Sequence, residues 1–255
     1  MVRKKRHEKM LHMLNKEKSM TISNLSNKLN TTMMTIRRDL DFLEEKGFVK
    51  RFHGGVMLTR SEQEQPSFYE RYEEFSNEKY VIGLTAAKLI SKDSVVFFDA
   101  GTTPLAIVEH IPIDLEFTAV TTGLLTAVAL CEKPMINVIS VGGNIHHTSF
   151  SSVSRLSVDF ISQFNADIAF ISTRSISLPE GIFESHIPLI EVKEAIVNAS
   201  KQVVLVADNS KFGSKSLCRA VEMNRIDLLI TDSKTEKQYL DELDRINVRY
   251  TLAKI

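Results

Sequence analysis

Between residues 95 and 231 the chain repeats one pattern: a short apolar run, a small polar turn, then a segment with helical periodicity. The runs cover 95–99, 117–121, 137–141, 168–172, 203–207 and 228–231, and helix-like stretches at 103–110, 124–131, 153–164, 187–200 and 236–246 separate or follow them. A strand that is apolar at nearly every position must be covered on both faces, as happens in a parallel sheet between helical layers. A half-wet antiparallel strand would alternate apolar and polar residues instead. The body is therefore expected to be α/β with a mainly parallel sheet. Ligands of such sheets bind beyond the carboxyl ends of the strands, where the loops gather.

Three of those loops are small and polar. Asp99-Ala100-Gly101-Thr102-Thr103 follows the first run and opens a helix, while Val120-Thr121-Thr122-Gly123 and Val141-Gly142-Gly143-Asn144 follow the next two. Glycine admits close backbone approach, threonine hydroxyls donate, and free amides at a helix start attract an anion. The plain alternative is an ordinary strand-to-helix turn with Thr102 as its cap. Lys211, in Asp208-Asn209-Ser210-Lys211-Phe212-Gly213 after the run at 203–207, stands at the same edge and would be the counter-charge. Lys193, on the helix after Pro188, either joins it or faces solvent.

The first 60 residues differ in charge. They hold 14 Lys and Arg against 6 Asp and Glu, an excess of eight, whereas the remainder holds 18 against 26. A formally neutral chain thus divides into a basic head and an acidic body, and basic clustering on a small domain is the footprint of phosphate binding. Within the head, Ile22, Leu25 and Leu29 have helical spacing, capped by Thr21 or Ser23. After the turn Asn30-Thr31-Thr32, a second helix carries Ile36, Leu40 and Leu43 on one stripe, with Thr31 or Thr32 as cap. Two short helices so joined form a helix-turn-helix whose second member enters the major groove. Phe48-Val49-Lys50-Arg51-Phe52, turning at Gly54-Gly55 into Val56-Met57-Leu58, reads as a two-stranded wing. The face expected to meet DNA comprises Thr31, Thr32, Met33, Thr35, Arg37 and Arg38, with Arg51, His53, Gly54 and Gly55 from the wing. Arginine suits that role because its planar fork fits phosphate and the guanine edge.

The expected organisation is a DNA-binding domain at 3–58, a linker at 59–78 and a ligand-sensing domain at 79–255. Polar residues from Thr59 to Gln65 mark the linker, and the aromatic stretch Phe68, Tyr69, Tyr72 and Phe75 would pack on a domain or a partner. Thr35-Ile36-Arg37-Arg38-Asp39-Leu40, with Leu43-Glu44, Gly47 and Arg51-Phe52-His53-Gly54-Gly55, resembles the signature of the DeoR family of bacterial repressors. The resemblance continues at residues 97–103, 117–120, 129–134 and 167–170, so it spans nearly the whole chain. It implies a winged helix-turn-helix joined to a body like the sugar-phosphate isomerases that senses a phosphorylated sugar. The implied effector pocket is lined by Asp99, Gly101, Thr102, Thr103, Thr121, Thr122, Gly142, Gly143 and Lys211. Two departures from the family pattern stand out. Ser172-Thr173-Arg174-Ser175-Ile176-Ser177 replaces a Gly-rich loop, and Leu189 stands where an acidic residue commonly precedes the helix. Arg174 then clamps a more anionic effector, serves a pocket that binds something else, or points to solvent.

The implied function is transcriptional repression of a carbohydrate or nucleoside catabolic operon, with double-stranded operator DNA and a small phosphorylated sugar as partners. The alternative is an isomerase-like enzyme tethered to DNA. That reading needs a general base and acid over the sugar carbons, and Ser172–Ser177 offers no carboxylate. No cofactor or metal is expected: adjacent His146 and His147 on an extended segment would point to opposite sides. Cys131 and Cys218 read as buried thiols. Apolar runs too short for a membrane span and a basic start with no apolar stretch behind it suggest a cytoplasmic protein with no membrane partner. Symmetric operators favour a homo-oligomer.

Overall fold

The computed structural model of the chain describes residues 3–17, 19–46, 48–52, 55–58 and 66–254. They divide into two compact units, Met1–Gln65 and Pro66–Ile255.

The first unit contains α1 (Arg3–Glu17), β1 (Ser19–Met20), α2 (Ile22–Lys28), α3 (Met33–Glu45), β2 (Val49–Phe52) and β3 (Gly55–Leu58). The strands form one sheet in the order β1-β3-β2. Thr21 Oγ1 accepts the Asn24 N–H at 3.1 Å, and Thr32 Oγ1 accepts the Thr35 N–H at 3.2 Å, so these two threonines are the caps of α2 and α3. Asn30, with φ at 47°, takes the left-handed position that lets the chain reverse between them. The stripes of α1, α2 and α3 meet in a core of Met10, Leu14, Leu25, Leu29, Ile36, Leu40 and Leu43, closed by Val49 and Val56.

A core this small is marginal by area alone, and a polar brace supplements it. Asp39 turns inward from α3 and is buried. Its carboxylate accepts Arg6 Nη2 at 3.1 Å and His7 Nε2 at 2.8 Å, both from α1. Burial pushes this carboxyl up, but the hydrogen bonds and charge from Arg6 and His7 outweigh it and hold the group below its ordinary value.

The second unit opens with α4 (Phe68–Glu73) and α5 (Ser76–Ala87), followed by β4 (Val95–Phe98), α6 (Thr102–Glu109), β5 (Phe117–Thr121), α7 (Leu124–Cys131) and β6 (Ile136–Ser140). A hairpin of β7 (Asn144–His146) and β8 (Ser151–Val153) leads to α8 (Arg155–Ile161) and β9 (Ala166–Ile171). Then come β10 (Ser175–Ser177), β11 (Gly181–Glu184), α9 (Ile187–Asn198), β12 (Ser200–Val206), β13 (Cys218–Glu222), β14 (Leu228–Asp232), α10 (Lys237–Arg245) and β15 (Tyr250–Ala253). Seven of these strands make a parallel sheet in the order β6-β5-β4-β9-β12-β14-β15. β10, β11 and β13 form a small antiparallel sheet beside it.

Alternation along each central strand feeds two separate cores. Phe97, Ala169, Ile171, Val203 and Leu205 pack with α8, α9 and α10 through Ile161, Val192, Ile196 and Leu243. Val96, Phe98, Ile168, Phe170, Val204 and Val206 pack with α5, α6 and α7 through Ile82, Ile107 and Leu130. Both faces being covered is why the middles of the central strands are apolar at consecutive positions, as at residues 95–98, 168–171 and 203–206. The chain leaves β4 toward β5 on one side, while β9 lies on the other. The switch point of the sheet, where the following loops diverge and leave a crevice, is therefore between β4 and β9.

Two expectations need correction. The segment 66–78 is not a linker: Ser67 caps α4 with a reciprocal Glu70 contact, and Phe68 packs edge-on against Phe150 with ring centroids 5.7 Å apart. Tyr72 also donates to Glu109 at 2.7 Å, so the aromatics fasten this stretch to the body. Residues 59–65 lie outside the described residues. Cys131 and Cys218 are exposed rather than buried, because one ends α7 and the other opens the edge strand β13.

Asp39→Asn should lower the unfolding midpoint of the first unit, with a loss of about 3–5 kcal/mol as expected for removing one partner of a buried pair. In the unaltered protein the brace contributes fully above the ordinary carboxylate range and is lost as pH falls through the lowered Asp39 value. Circular dichroism melts from pH 7 downward read both effects. A variant with an unchanged midpoint would refute the brace.

Candidate functional site

The candidate recognition surface of the first unit is built by α3. Its buried stripe of Ile36, Leu40 and Leu43, with Asp39, leaves Arg37 and Arg38 exposed. Neither guanidinium has an ion pair among the described residues. Met33 and Met34 are also exposed at the start of the helix, where apolar groups can meet a thymine methyl. Thr32 and Thr35 share a hydroxyl contact of 3.0 Å, and the Thr31 carbonyl accepts Ser26 Oγ at 2.6 Å. These contacts fix the turn before α3.

The wing departs from expectation. Arg51 Nη2 donates to Asp41 at 2.5 Å and to the Arg37 carbonyl at 3.1 Å, and Nε lies 3.4 Å from Glu44. Arg51 thus braces the wing to α3 instead of standing free. Gly55 is a packing residue: a Cβ there would lie 2.8 Å from the Met20 carbonyl, so glycine lets β1 approach β3. His53 and Gly54 lie outside the described residues.

In the second unit the switch point is filled from within. Asp99 is buried, and its two oxygens are taken up by the Ala100 N–H at 2.8 Å, the Ser172 N–H at 3.2 Å and the Lys193 ammonium. Lys193 also donates to the Ser172 carbonyl at 2.6 Å and lies 3.6 Å from Glu184. Burial alone would push this ammonium down; Asp99 and Glu184 outweigh it and raise it. Burial pushes the Glu184 carboxyl up, although Lys193 opposes it. Lys193 is therefore neither solvent-facing nor available to an incoming group. Gly101, at φ 148°, brings the next turn against Ser172, where a Cβ would stand 2.7 Å from Ser172 Oγ.

The other sequence candidates fall into two groups. Thr121 and Thr122 are buried with their hydroxyls turned inward, accepting the Gly123 and Ala100 N–H groups at 3.1 Å each. The Gly142 carbonyl accepts Ser157 Oγ at 2.7 Å, and Gly143 packs against Ser154 and Ser157, so this loop supports α8. By contrast, Thr102 lines a cavity of about 220 Å³ with Tyr72, Tyr80 and Lys79. Thr103, in the same first turn of α6, is buried.

Lys79 also lines a second cavity, of about 380 Å³, where Arg71, Arg174 and Lys211 converge with Ser175, Ser210, Ser214 and Ser216. Arg71 spends Nε on the Pro66 carbonyl at 3.2 Å and Nη2 on the Thr148 carbonyl at 3.0 Å. Lys79 donates to the carbonyls of Arg71 and Glu74. Lys211 stands 3.8 Å from Asp208. Burial, and then the nearby Arg174 charge, push the Arg71 guanidinium down. Burial, reinforced by Lys211 and Arg71 against Asp208 and Glu74, lowers Lys79 to about 8. Four cations with mostly neutral partners around a polar hollow can hold an anion. A larger cavity, about 670 Å³, is lined by α8 and α9 residues such as Val158 and Glu194 rather than by the loops after the strands.

Two family models match the chain: the DeoR-like helix-turn-helix domain over residues 6–62, and the DeoR C terminal sensor domain over residues 74–233. The chain belongs to the DeoR family of transcriptional regulators. It is 33% identical to the HTH-type transcriptional regulator GolR of Listeria innocua, an alignment covering 91% of each chain. It is 29% identical to the glycerol-3-phosphate regulon repressor of Haemophilus influenzae over 91% of this chain and 90% of that one. Among solved structures, ribose 5-phosphate isomerase A of Methanocaldococcus jannaschii is similar at a TM-score of 0.41 and 12% identity, covering 54% of this chain and 55% of that one.

In this DeoR-family regulator the cavity gathers Arg174 and Lys211, which sequence reasoning singled out, with Arg71 and Lys79, which it did not. Assigning 59–78 to a linker hid Arg71. Lys79 did leave a signal, since a cation in the first turn of a helix opposes the helix dipole and calls for an anionic partner.

Arg37→Ala and Arg38→Ala should each weaken binding to the regulator's own promoter region in fluorescence anisotropy. A base-reading arginine should cost about 1–3 kcal/mol, whereas a phosphate contact should weaken all sequences alike and flatten the salt dependence. Unchanged affinity in the double variant would displace α3 as the recognition helix. For Lys79, an anion bound beside it raises its affinity for a proton. Binding of inorganic phosphate near pH 8 should therefore take up protons and weaken from pH 7 to 9. Calorimetry in buffers of different ionisation heat measures this, and the uptake should vanish in Lys79→Met.

Proposed function

We propose that this DeoR-family protein is a repressor of a carbohydrate or nucleoside catabolic operon, released from operator DNA by a phosphorylated sugar. The observation that carries the reading is the cavity of Arg71, Lys79, Arg174 and Lys211, held in the same chain as a helix whose Arg37 and Arg38 have no ion pair among the described residues. A phosphoryl group brings about 1.5 to 2 negative charges and three acceptor oxygens, which such a lining can satisfy. One of its relatives is the glycerol-3-phosphate regulon repressor, named for the regulon of a phosphorylated three-carbon compound, and a ligand of that general chemistry fits here. A ligand changes DNA affinity only if it binds the DNA-competent and DNA-free states unequally. Catalysis is a weaker reading, because Asp99 has its oxygens committed to Lys193 and two peptide N–H groups. We further propose that the protein acts in the cytoplasm as a homo-oligomer, which suits a symmetric operator.

Operator binding is tested by anisotropy on the promoter region with a panel of sugar phosphates, including deoxyribose 5-phosphate and glycerol 3-phosphate. At least one should release the DNA while its unphosphorylated counterpart does not. Lys211→Ala should keep DNA affinity and lose the response. DNA binding that no phosphorylated compound disturbs, or turnover of one of them, would overturn the proposal.

A further inference from the structure

Met33 and Met34 open α3 directly after its Thr32 cap and are 51% and 58% exposed. They are the large apolar side chains that this helix leaves in water, since Ile36, Leu40 and Leu43 close the core without them. Where the same core uses methionine, at Met10 and Met20, it covers the side chain. An exposed methionine forgoes that burial energy. The first turn of α3 also contains no acidic residue. An acid there would suit the positive end of the helix, but it would oppose an approaching phosphate. The turn is thus apolar where a helix in water favours a carboxylate.

The arginines give these methionines a setting. Met33 stands four positions before Arg37 and Met34 four before Arg38, so each shares a strip of the helix surface with one exposed arginine. Neither arginine has an ion pair among the described residues, whereas Asp41, one turn beyond Arg37, is held by Arg51. The charge of this face fits nucleic acid, and a planar guanidinium takes a phosphate or a guanine edge. A methionine cannot do the same. It offers no donor and only a weakly accepting sulfur, so the hydrogen-bonding groups of a base edge are closed to it. The apolar group that a base presents in the major groove is the C5 methyl of thymine. In a helix-turn-helix, the N-terminal residues of the second helix are the ones that reach base edges, and Met33 and Met34 lie at that end. An unbranched thioether is flexible enough to settle on a methyl group.

Resting on the reading of α3 as the DNA-contacting helix, we infer that Met33 and Met34 are specificity residues that read thymine C5 methyl groups of the operator. Each methyl contact then lies beside the guanine or phosphate taken by Arg37 or Arg38. Thymines at fixed positions, and not charge alone, select the site.

The promoter region prepared with deoxyuridine in place of every thymidine tests this, because the exchange removes each C5 methyl and keeps each hydrogen-bonding group. In fluorescence anisotropy the full chain should bind the deoxyuridine form about tenfold or more weakly, each lost methyl contact costing about fourfold. Met33→Ala combined with Met34→Ala should bind the thymidine form as weakly as the unaltered protein binds the other, and should no longer distinguish the two. Alanine suits a helix, and an unchanged melting midpoint verifies that the variant is folded. Arg38→Ala should weaken both forms and keep their ratio. Equal affinity of the unaltered protein for the two forms overturns the inference and leaves the repressor reading standing. A double variant that keeps the full preference does the same, since the methyl groups would then act through DNA shape or another residue. If the unaltered protein binds neither form, the repressor reading falls as well.

Discussion

The buried pair of Asp99 and Lys193 fixes the edge of the sheet on which the rest of the second unit depends. Strands β4 and β9 are neighbours, but their following loops part, and an unfilled crevice there would expose peptide groups to nothing. Lys193 from α9 crosses it, joining the Asp99 carboxylate to the Ser172 carbonyl, while the Ser172 N–H returns to Asp99. Removing two charges from water costs several kcal/mol per ion. Such a pair persists only when its oxygens and protons are satisfied, as here. The result is a rigid departure for the loop 172–177, which sets Arg174 at the cavity instead of leaving it to wander over the surface.

The same contrast between committed and uncommitted cations organises both units. In the first, Arg6 is bound to Asp39 and Arg51 to Asp41 and Glu44, so both serve packing. Arg37 and Arg38 remain without an ion pair among the described residues. In the second, Lys193 is committed to carboxylates, whereas Arg71 and Lys79 hold only backbone carbonyls. A carbonyl steers a cation without cancelling its charge. A net charge counted along the sequence cannot separate these classes, because the difference lies in which partner the fold brings within reach.

This explains which parts were legible in the sequence. The six apolar runs all became strands of the parallel sheet, since doubly covered strands require continuous apolar sequence. β1, β7, β8, β10, β11, β13 and the seventh sheet strand β15 escaped notice because two to five residues of mixed polarity show no period. Lys193 was misjudged although its surroundings carried a hint: Leu189, Ile190, Ile196 and Val197 lie three or four positions away and make it the one cation within an apolar stripe. Cys131 and Cys218 misled in the opposite sense, their apolar neighbours suggesting burial that a helix end and an edge strand do not provide. Thr121 and Thr122 were correctly placed at the strand ends, but spacing alone could not show their hydroxyls bonding inward.

The free-state electrostatics of the cavity give the proposed regulation a physical starting point. Lys79 sits in the first turn of α5, where the helix dipole disfavours a cation, and beside Arg71 and Lys211, which repel it. An anion relieves this repulsion, so it should bind most tightly to the arrangement that draws Arg71, Lys79, Arg174 and Lys211 together. Three of those residues belong to segments of different character. Arg71 lies on α4, Lys79 on α5, and Arg174 on a loop anchored through the Asp99 pair. The loop is anchored through Asp99, and α4 is the first helix of the second unit, held to it through Phe68, Arg71 and Tyr72. A ligand would therefore draw its energy from cations on α4, α5 and the anchored loop together, and unequal affinity for two states would be expressed through how these three are placed.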